Sequence, residues 1–371
     1  MNLPPIELST GRKIGPGHPC FIAAEIGQNH NGDVYTATRL MTAAADAGCD
    51  AVKFCKRHVR RDLTAAARAE PYHGPQSYGA TYGEHREALE LSLREYAHLQ
   101  RRLSYNRWSL VMFATVCDIP SVRAIESTLD PPLWKIASRD LDNLPLIGWP
   151  ASAGKPIVLS TGMATSDDEI AAAVETVRRY HDKIIVCHCV SEYPTPDAHA
   201  RLGRLAEIRE RFNVHVGYSD HTIGLHFAQA AVALGAVYIE KHITLARADK
   251  GTDHACSLEP DALKKLVRNI RSIEHAMRHK DLPEDAIEEI QRMRAKLGRS
   301  IVLTEPVAAG ETIEEANMVL KCPGTGYRWA RRDELIGKRA KVDIPADVTV
   351  TPEMIAEEVS CDKHPIPKGV K

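Results

Sequence analysis

The chain has 371 residues, 44% of them hydrophobic and 26% charged, a composition that supports a sizeable core and excludes a disordered protein. Lys and Arg number 48 against 49 Asp and Glu, a net charge of -1, which excludes the basic stripe that a dedicated nucleic-acid binder needs to displace counterions. No apolar run approaches the ~20 residues of a membrane span, and at ~150 residues per domain the length fits two domains or one large α/β barrel with an appendage. The opening MNLPPIELSTGRKIGPG has no apolar signal-peptide core. The nine cysteines (20, 49, 55, 117, 187, 189, 256, 322 and 361) are scattered, without a CxxC pair. That pattern fits reduced thiols, so the expected location is the cytoplasm.

Short runs rich in Val, Ile and Ala then recur in chain order: CFIAAEIG (20–27), DAVKFC (50–55), SLVMFATV (109–116), LWKIAS (133–138), PIVLSTG (156–162), KIIVCHCV (183–190), VHVGYSD (214–220) and AVYIEKHIT (236–244). Each reads as a strand buried on both faces, as in a parallel sheet. Helical patterns alternate with them, among them 33–48, 167–181 and 261–277. Most strand-to-strand offsets are roughly 22–31 residues, about one βα unit each. Eight such units predict a (β/α)8 TIM barrel over residues 1–280. A doubly wound sheet is the alternative, disfavoured by eight similar units and the lack of GxGxxG. The second-to-third offset is about twice the others, and residues 56–83 read as a long polar connection on the catalytic side. A charged helical linker is expected over 281–297, a small domain of short strands and Gly/Pro turns over 298–358, and a frayed tail over 359–371.

Chemistry in a barrel sits at the carboxyl ends of the strands, and strand parity selects the side chains that face the lumen. Glu25 lies two residues beyond Ala23; Lys53 and Cys55 share a face, as do Tyr238, Glu240 and His242, and Ser219 and His221. His221 and His242 end neighbouring strands and are the candidate metal ligands, since two imidazoles with open positions suit a catalytic Mn²⁺, Mg²⁺ or Zn²⁺. Glu240 is a further ligand, an orienting group or a base. Asp253-His254 sit in a loop after the eighth strand, where ordinary turn chemistry competes with function. Lys53, Lys135, Ser138, Ser160, Thr161 and Ser219, with Thr115 nearby, form a clamp for phosphate or carboxylate. Schiff-base chemistry is the rival use of a barrel lysine. In CHC (187–189), alternation sends both thiols one way and His188 the other, which favours core packing.

These residues resemble the sialic acid synthase family, which makes N-acetylneuraminate and related nonulosonates from phosphoenolpyruvate and an amino-sugar. The resemblance runs from about residue 20 to 345, through AEIGQNHNG (24–32), DAVKF (50–54), KIASRDLDNLPLI (135–147), GKPIVLSTGMAT (154–165), HCVSEYPTP (188–196), GYSDHTIG (217–224), IEKHITL (239–245) and DHACSLEP (253–260). KCPGTG (321–326) and LIGKRAKVDI (335–344) are similar to the antifreeze-like (SAF) domain that follows the barrel in this family. The resemblance implies that Lys53, Thr115, Lys135, Ser138, Ser160, Ser191, Tyr193 and Ser219 hold phosphoenolpyruvate. It implies that His221 and His242 bind a divalent metal, Mn²⁺ or Mg²⁺, and that the catalytic groups are Glu25, Lys53, Lys135, Glu240 and Asp253. Glu25 would be the base for water or a sugar hydroxyl. Contacts to the aldose acceptor fall on Cys55, Tyr82, Asp140, Glu240, Asp253 and Cys322, in a domain-swapped homodimer.

Departures from the family pattern concentrate at the acceptor. Cys55 replaces a glutamine, Cys322 replaces the arginine of KRPGxG, Cys256 stands where a bulky aromatic is common, and Arg139 replaces a glycine. These changes predict retained chemistry with an altered acceptor: one without the ordinary N-acetyl group, with a larger substituent, or with a charge that Arg139 reads. Alternatively Arg328 or Arg57 restores the missing contact. Two further readings are a Schiff-base pyruvate aldolase using Lys53 or Lys135, and a degenerate barrel whose small domain is a binding module.

Overall fold

The computed structural model describes residues 3–356. The expectations for the tail 359–371, Cys361 and the last residues of the small domain lie outside the described residues. The chain divides into two compact units, residues 1–278 and residues 279 onward.

The first unit is a closed parallel barrel of eight strands in sequential order. They are β1 (Phe21–Gly27), β2 (Ala51–Lys56), β3 (Val111–Val116), β4 (Trp134–Ile136), β5 (Ile157–Ser160), β6 (Ile184–His188), β7 (His215–Asp220) and β8 (Tyr238–His242). All eight apolar runs become strands, and β8 pairs with β1 to close the ring. Each strand is followed by a helix: α1 (Val34–Ala47), α2 (Leu93–Asn106), α3 (Ile119–Leu129), α4 (Leu144–Ser152), α5 (Asp167–Arg178), α6 (Arg204–Phe212), α7 (His226–Ala233) and α8 (Pro260–Arg278).

Alternation along the strands produces two apolar layers. Ile22, Val52, Met112, Trp134, Ile157, Val186, Tyr218 and Ile239 pack outward against the helices. Phe21, Ala23, Val111, Phe113, Val158, Ile185 and Tyr238 fill the lower lumen, with Phe21 and Tyr238 stacked at 5.9 Å. A hairpin of Ile6–Glu7 with Lys13–Ile14, for which the sequence patterning holds no strand signal, adds Ile6, Leu8 and Ile14 to that inner layer. The lumen is therefore apolar at its amino end and polar at its carboxyl end.

The long connection after β2 is ordered. Short helices span Val59–Asp62, Ala65–Ala69 and Tyr82–Ala88, and reciprocal capping boxes (Thr81 with Glu84, Ser92 with Glu95) start the last of these and α2. Tyr78 Oη donates to the Lys250 carbonyl at 2.6 Å, and Gln76 accepts from the Gly251 amide, so this segment meets the loop after β8.

In the second unit, α9 (Glu284–Leu297) precedes an antiparallel pair, β9 (Ser300–Leu303) with β10 (Met318–Lys321). Isolated bridges such as Val307–Ile344 and Ala340–Ile355 complete it around Ile301, Leu303, Ile313, Leu335 and Val350.

One ion pair lies between β7 and β8 on the helix-facing side. Lys241 Nζ is 2.8 Å from Asp220 Oδ2 and 2.6 Å from the Thr222 carbonyl, with both ionic side chains 0% exposed. Asp220 Oδ1 also accepts from the Thr222 amide and hydroxyl, at 2.9 and 2.7 Å. Breaking such a pair on one side strands a buried charge. Lys241→Met is expected to cost about 3–5 kcal/mol of unfolding free energy, read from urea denaturation. A loss below about 1 kcal/mol would show that the pair does not hold the β7–β8 edge together.

Candidate active site

Register brings the polar groups to one level. Glu25 is paired with Lys53 and with His242, Cys55 with Thr115, Thr115 with Lys135, and Ser219 with Glu240. The strands are parallel and the lumen parity is shared, so these side chains converge on a single cavity of about 250 Å³ at the barrel mouth.

Four charged groups form its floor. Lys53 Nζ lies 2.5 Å from Glu25 Oε2 and 3.6 Å from Glu240 Oε1, and Lys135 Nζ lies 3.3 Å from the same Glu240 oxygen. Lys53 donates to Thr115 Oγ1 at 2.7 Å, while Ser219 and the Tyr238 hydroxyl donate to Glu240 at 3.1 and 2.7 Å. The two carboxyls are driven apart. Burial raises Glu25 to about 8 against the pull of Lys53, whereas for Glu240 burial is overcome by Lys135 and Lys53, which hold it far below the carboxylate range. Burial pulls Lys53 down, but Glu240 and Glu25 outweigh it and keep the ammonium charged. A pair of carboxyls split in this way supplies one proton carrier near neutrality and one permanent anion.

Hydroxyls rim the floor. Ser138 Oγ accepts from the Gly162 amide at 2.9 Å and touches Cys189 Sγ at 3.1 Å. A Cβ at Gly162 would lie 2.6 Å from Cys189 Sγ and from Ser191 Oγ, so only glycine fits there. Ser160 Oγ is buried with no hydrogen-bond partner among the described residues. Thr161 instead donates to the Cys187 carbonyl, away from the cluster.

His221 and His242 stand above the floor with ring centres 5.6 Å apart, and Tyr193 packs on His221 at 4.0 Å. His221 Nδ1 is 2.7 Å from the Val190 carbonyl and must donate to it, which leaves Nε2 a free lone pair. His242 Nδ1 is buried without a partner. Burial lowers His221 to about 4 and lowers His242 as well, so both rings are neutral, the form that binds metals. Imidazoles sharing one ion at ~2.1 Å have centres at most roughly 6.5 Å apart, so the observed spacing suits a common cation. Among the described residues no cluster of three or more His, Cys, Asp or Glu stands ready to hold a metal, so water or substrate would complete the shell.

The cavity also takes in Asp253 and Cys55 from the acceptor set. Tyr82 is one step removed: its hydroxyl accepts from Arg86 Nε and Nη2 at 2.8 and 2.6 Å, and Arg86 is the lining residue. Asp140 stands behind Arg139, at 3.3 Å from its Nε. Cys256 is buried and donates to the Asp253 carbonyl at 3.2 Å. Cys322 is exposed in the second unit. Cys187 packs in the inner apolar layer, while Cys189 lines the cavity. Arg86 and Cys117 are lining residues that the motifs do not single out. Lumen parity extended past the end of β3 points to Cys117, and the i, i+4 spacing from Tyr82 points to Arg86.

Compared with known families, residues 40–281 match the NeuB family and residues 298–356 match the SAF domain. The chain is 37% identical over 357 residues to N-acetylneuraminate-9-phosphate synthase of Mus musculus, covering 94% of this chain and 96% of that protein. It is 35% identical over 335 residues to N,N'-diacetyllegionaminic acid synthase of Campylobacter jejuni, covering 88% and 97%. The solved N-acetylneuraminic acid (sialic acid) synthetase of Leptospira borgpetersenii, in complex with citrate, superposes with a TM-score of 0.66 at 32% identity, covering 78% of this chain and 96% of that one. A closed eight-stranded barrel with a polar mouth, matched over most of its length, thus places the chain in the NeuB family, with an SAF domain at residues 298–356.

Proposed function

We propose that the protein is a phosphoenolpyruvate-dependent nonulosonate synthase, which joins phosphoenolpyruvate and an aldose into a 2-keto-3-deoxy sugar acid and releases phosphate. The observation that carries this reading is the buried cluster in which Lys53 and Lys135 share one Glu240 oxygen beside the unpartnered Ser160 hydroxyl. Two ammonium groups against one fixed carboxylate, with Glu25 protonated, leave a net positive floor that seeks an anion. Relatives named for N-acetylneuraminate 9-phosphate and diacetyllegionaminate support the product class.

In this reading Lys53, Lys135, Thr115, Ser138, Ser160 and Ser219 hold the phosphate and carboxylate of phosphoenolpyruvate, with Ser191 and Tyr193 at the rim. Carbon 3 of the enol attacks the acceptor aldehyde and a C–C bond forms. Water then adds at carbon 2, and the C–O bond to phosphate breaks as the ketone forms. Glu25, raised to about 8, carries its proton in the resting site and, once ionised, takes the proton from water or a sugar hydroxyl. Glu240 and Asp253 orient the acceptor hydroxyls. A divalent ion, Mn²⁺ or Mg²⁺, held by His221 and His242 would polarise the acceptor carbonyl as a Lewis acid. The acceptor is proposed to differ from plain N-acetylmannosamine. A charged acceptor is favoured by Arg57, Arg86 and Arg139, which all line the cavity. The finer parts of the reading are a cytoplasmic homodimer with swapped SAF domains and Cys322 at the acceptor.

Purified protein with Mn²⁺, given phosphoenolpyruvate and a panel of acetylated, diacetylated, amino-free and phosphorylated aldoses, is expected to release phosphate with at least one sugar. Oxygen-18 at the bridging position of phosphoenolpyruvate should appear in that phosphate. Label retained in the sugar acid would overturn C–O cleavage, and efficient use of unmodified N-acetylmannosamine would overturn the altered acceptor.

Chelation should abolish turnover and Mn²⁺ or Mg²⁺ restore it, while pyruvate with borohydride should leave activity intact. The reverse pattern would establish the Schiff-base aldolase. Lys135→Met is expected to lower kcat/KM for phosphoenolpyruvate by on the order of 10²–10³. Activity that survives removal of residues 298–371 would exclude a role for the SAF domain in the site.

A further inference from the structure

We propose that Cys55 and Cys117 form a peroxide-reactive dithiol at the barrel mouth, with Cys55 the attacking sulfur and Cys117 the resolving one. Both residues line the cavity, Cys55 at the end of β2 and Cys117 one residue past β3, and their sulfurs lie 3.8 Å apart. Arg57 Nη2 donates to Cys55 Sγ at 3.0 Å. The Arg57 guanidinium stabilises negative charge on that sulfur, so in the proposed dithiol Cys117 is the donor of the pair. The hydrogen bond from Cys117, followed by the charges of Arg57, Arg139 and Lys53, holds Cys55 well below the ordinary thiol range despite its burial. The same hydrogen bond, with burial, pushes Cys117 up. A thiolate in an electropositive, partly exposed setting beside a second thiol is the environment of an oxidation-sensitive cysteine.

Four other thiols differ. Burial pushes up Cys20, Cys49, Cys187 and Cys256, which makes them inert packing residues. Cys322 is exposed, donates to the Leu297 carbonyl at 3.3 Å, and serves as an internal reference.

The oxidant is a hydroperoxide, hydrogen peroxide in the simplest case. Cys55 thiolate attacks one peroxide oxygen; an S–O bond forms, the O–O bond breaks, and the departing hydroxide takes a proton and leaves as water. Cys117 then loses its proton and attacks the sulfenic sulfur; the S–S bond forms, the S–O bond breaks, and a second water leaves. Two thiols lose two electrons in all, and one peroxide becomes two waters. Closing 3.8 Å to the ~2.05 Å of a disulfide calls for side-chain rotation, with no change in strand order. A small dithiol reverses the step by thiol–disulfide exchange. The inference rests on no assumption about the acceptor or the metal, and its readouts are mass and thiol labelling.

Full-length protein is treated with limiting hydrogen peroxide, quenched, and mapped by mass spectrometry. Cys55 is expected to lose its free thiol on the order of tenfold faster than Cys322, because the Arg57 guanidinium at 3.0 Å stabilises its thiolate. The product should be a 55–117 crosslinked peptide pair, two hydrogens lighter than the reduced pair and reopened by dithiothreitol. Cys117→Ser should halt at a sulfenic acid on Cys55 that dimedone traps, and Cys55→Ser should leave Cys117 unreacted. Loss of Cys55 thiol no faster than that of Cys322, or a crosslink that joins other cysteines, would overturn the proposal.

Discussion

Everything at the mouth of this barrel depends on where the charge of Glu240 goes. Its carboxylate sits in a buried lumen, where an unpaired anion is untenable, and it is kept ionised by Lys135 at 3.3 Å and Lys53 at 3.6 Å. Tyr238 and Ser219 take up its remaining acceptor capacity. Because Lys53 is also held by Glu25 and Thr115, the four charged groups, on β1, β2, β4 and β8, form one connected network. The same network explains why two carboxyls in one cavity part company, Glu25 carrying a proton near neutrality while Glu240 does not. A floor of that kind is already organised for an anion before one arrives.

Above it, the histidine pair is positioned by the backbone rather than by charge. The Val190 carbonyl selects the tautomer of His221, and the residues on either side of it belong to the fully buried Asp220–Thr222–Lys241 cluster on the opposite face of β7. One strand end thus carries both a structural ion pair outside the barrel and a neutral imidazole inside it. The alternation of a β-strand makes this possible. Burial keeps both rings uncharged against the upward pull of nearby carboxylates, Asp253 on His242 and Glu240 on both.

The wall beside the floor is built differently. The segment after β2 contributes Arg57 and Arg86, and it reaches the β8 loop through Tyr78 and Gln76. Three guanidiniums and two thiols occupy this wall of the cavity, balanced by Asp62, Glu90 and Asp140 just behind it. Cys55 stands 3.0 Å from Arg57 Nη2, which gives its sulfur a chemistry that a glutamine at the same place would lack.

The barrel itself was legible in the amino-acid order. Eight runs buried on both faces, about one βα unit apart, leave few other ways to close a sheet, and every one became a strand. Strand parity likewise put Glu25, Lys53, Ser219, His221, Glu240 and His242 on the lumen side, since a two-residue period needs no knowledge of the neighbours. What parity does not contain is inter-strand register and the path of long connections. Only the folded chain decided that Lys53 and Lys135 share one Glu240 oxygen, that Tyr82 acts behind Arg86, that Cys189 faces the cavity while Cys187 packs below it, and that Cys117 meets Cys55. Those contacts join residues far apart in sequence, and their distances follow from how eight strands stagger around a closed ring.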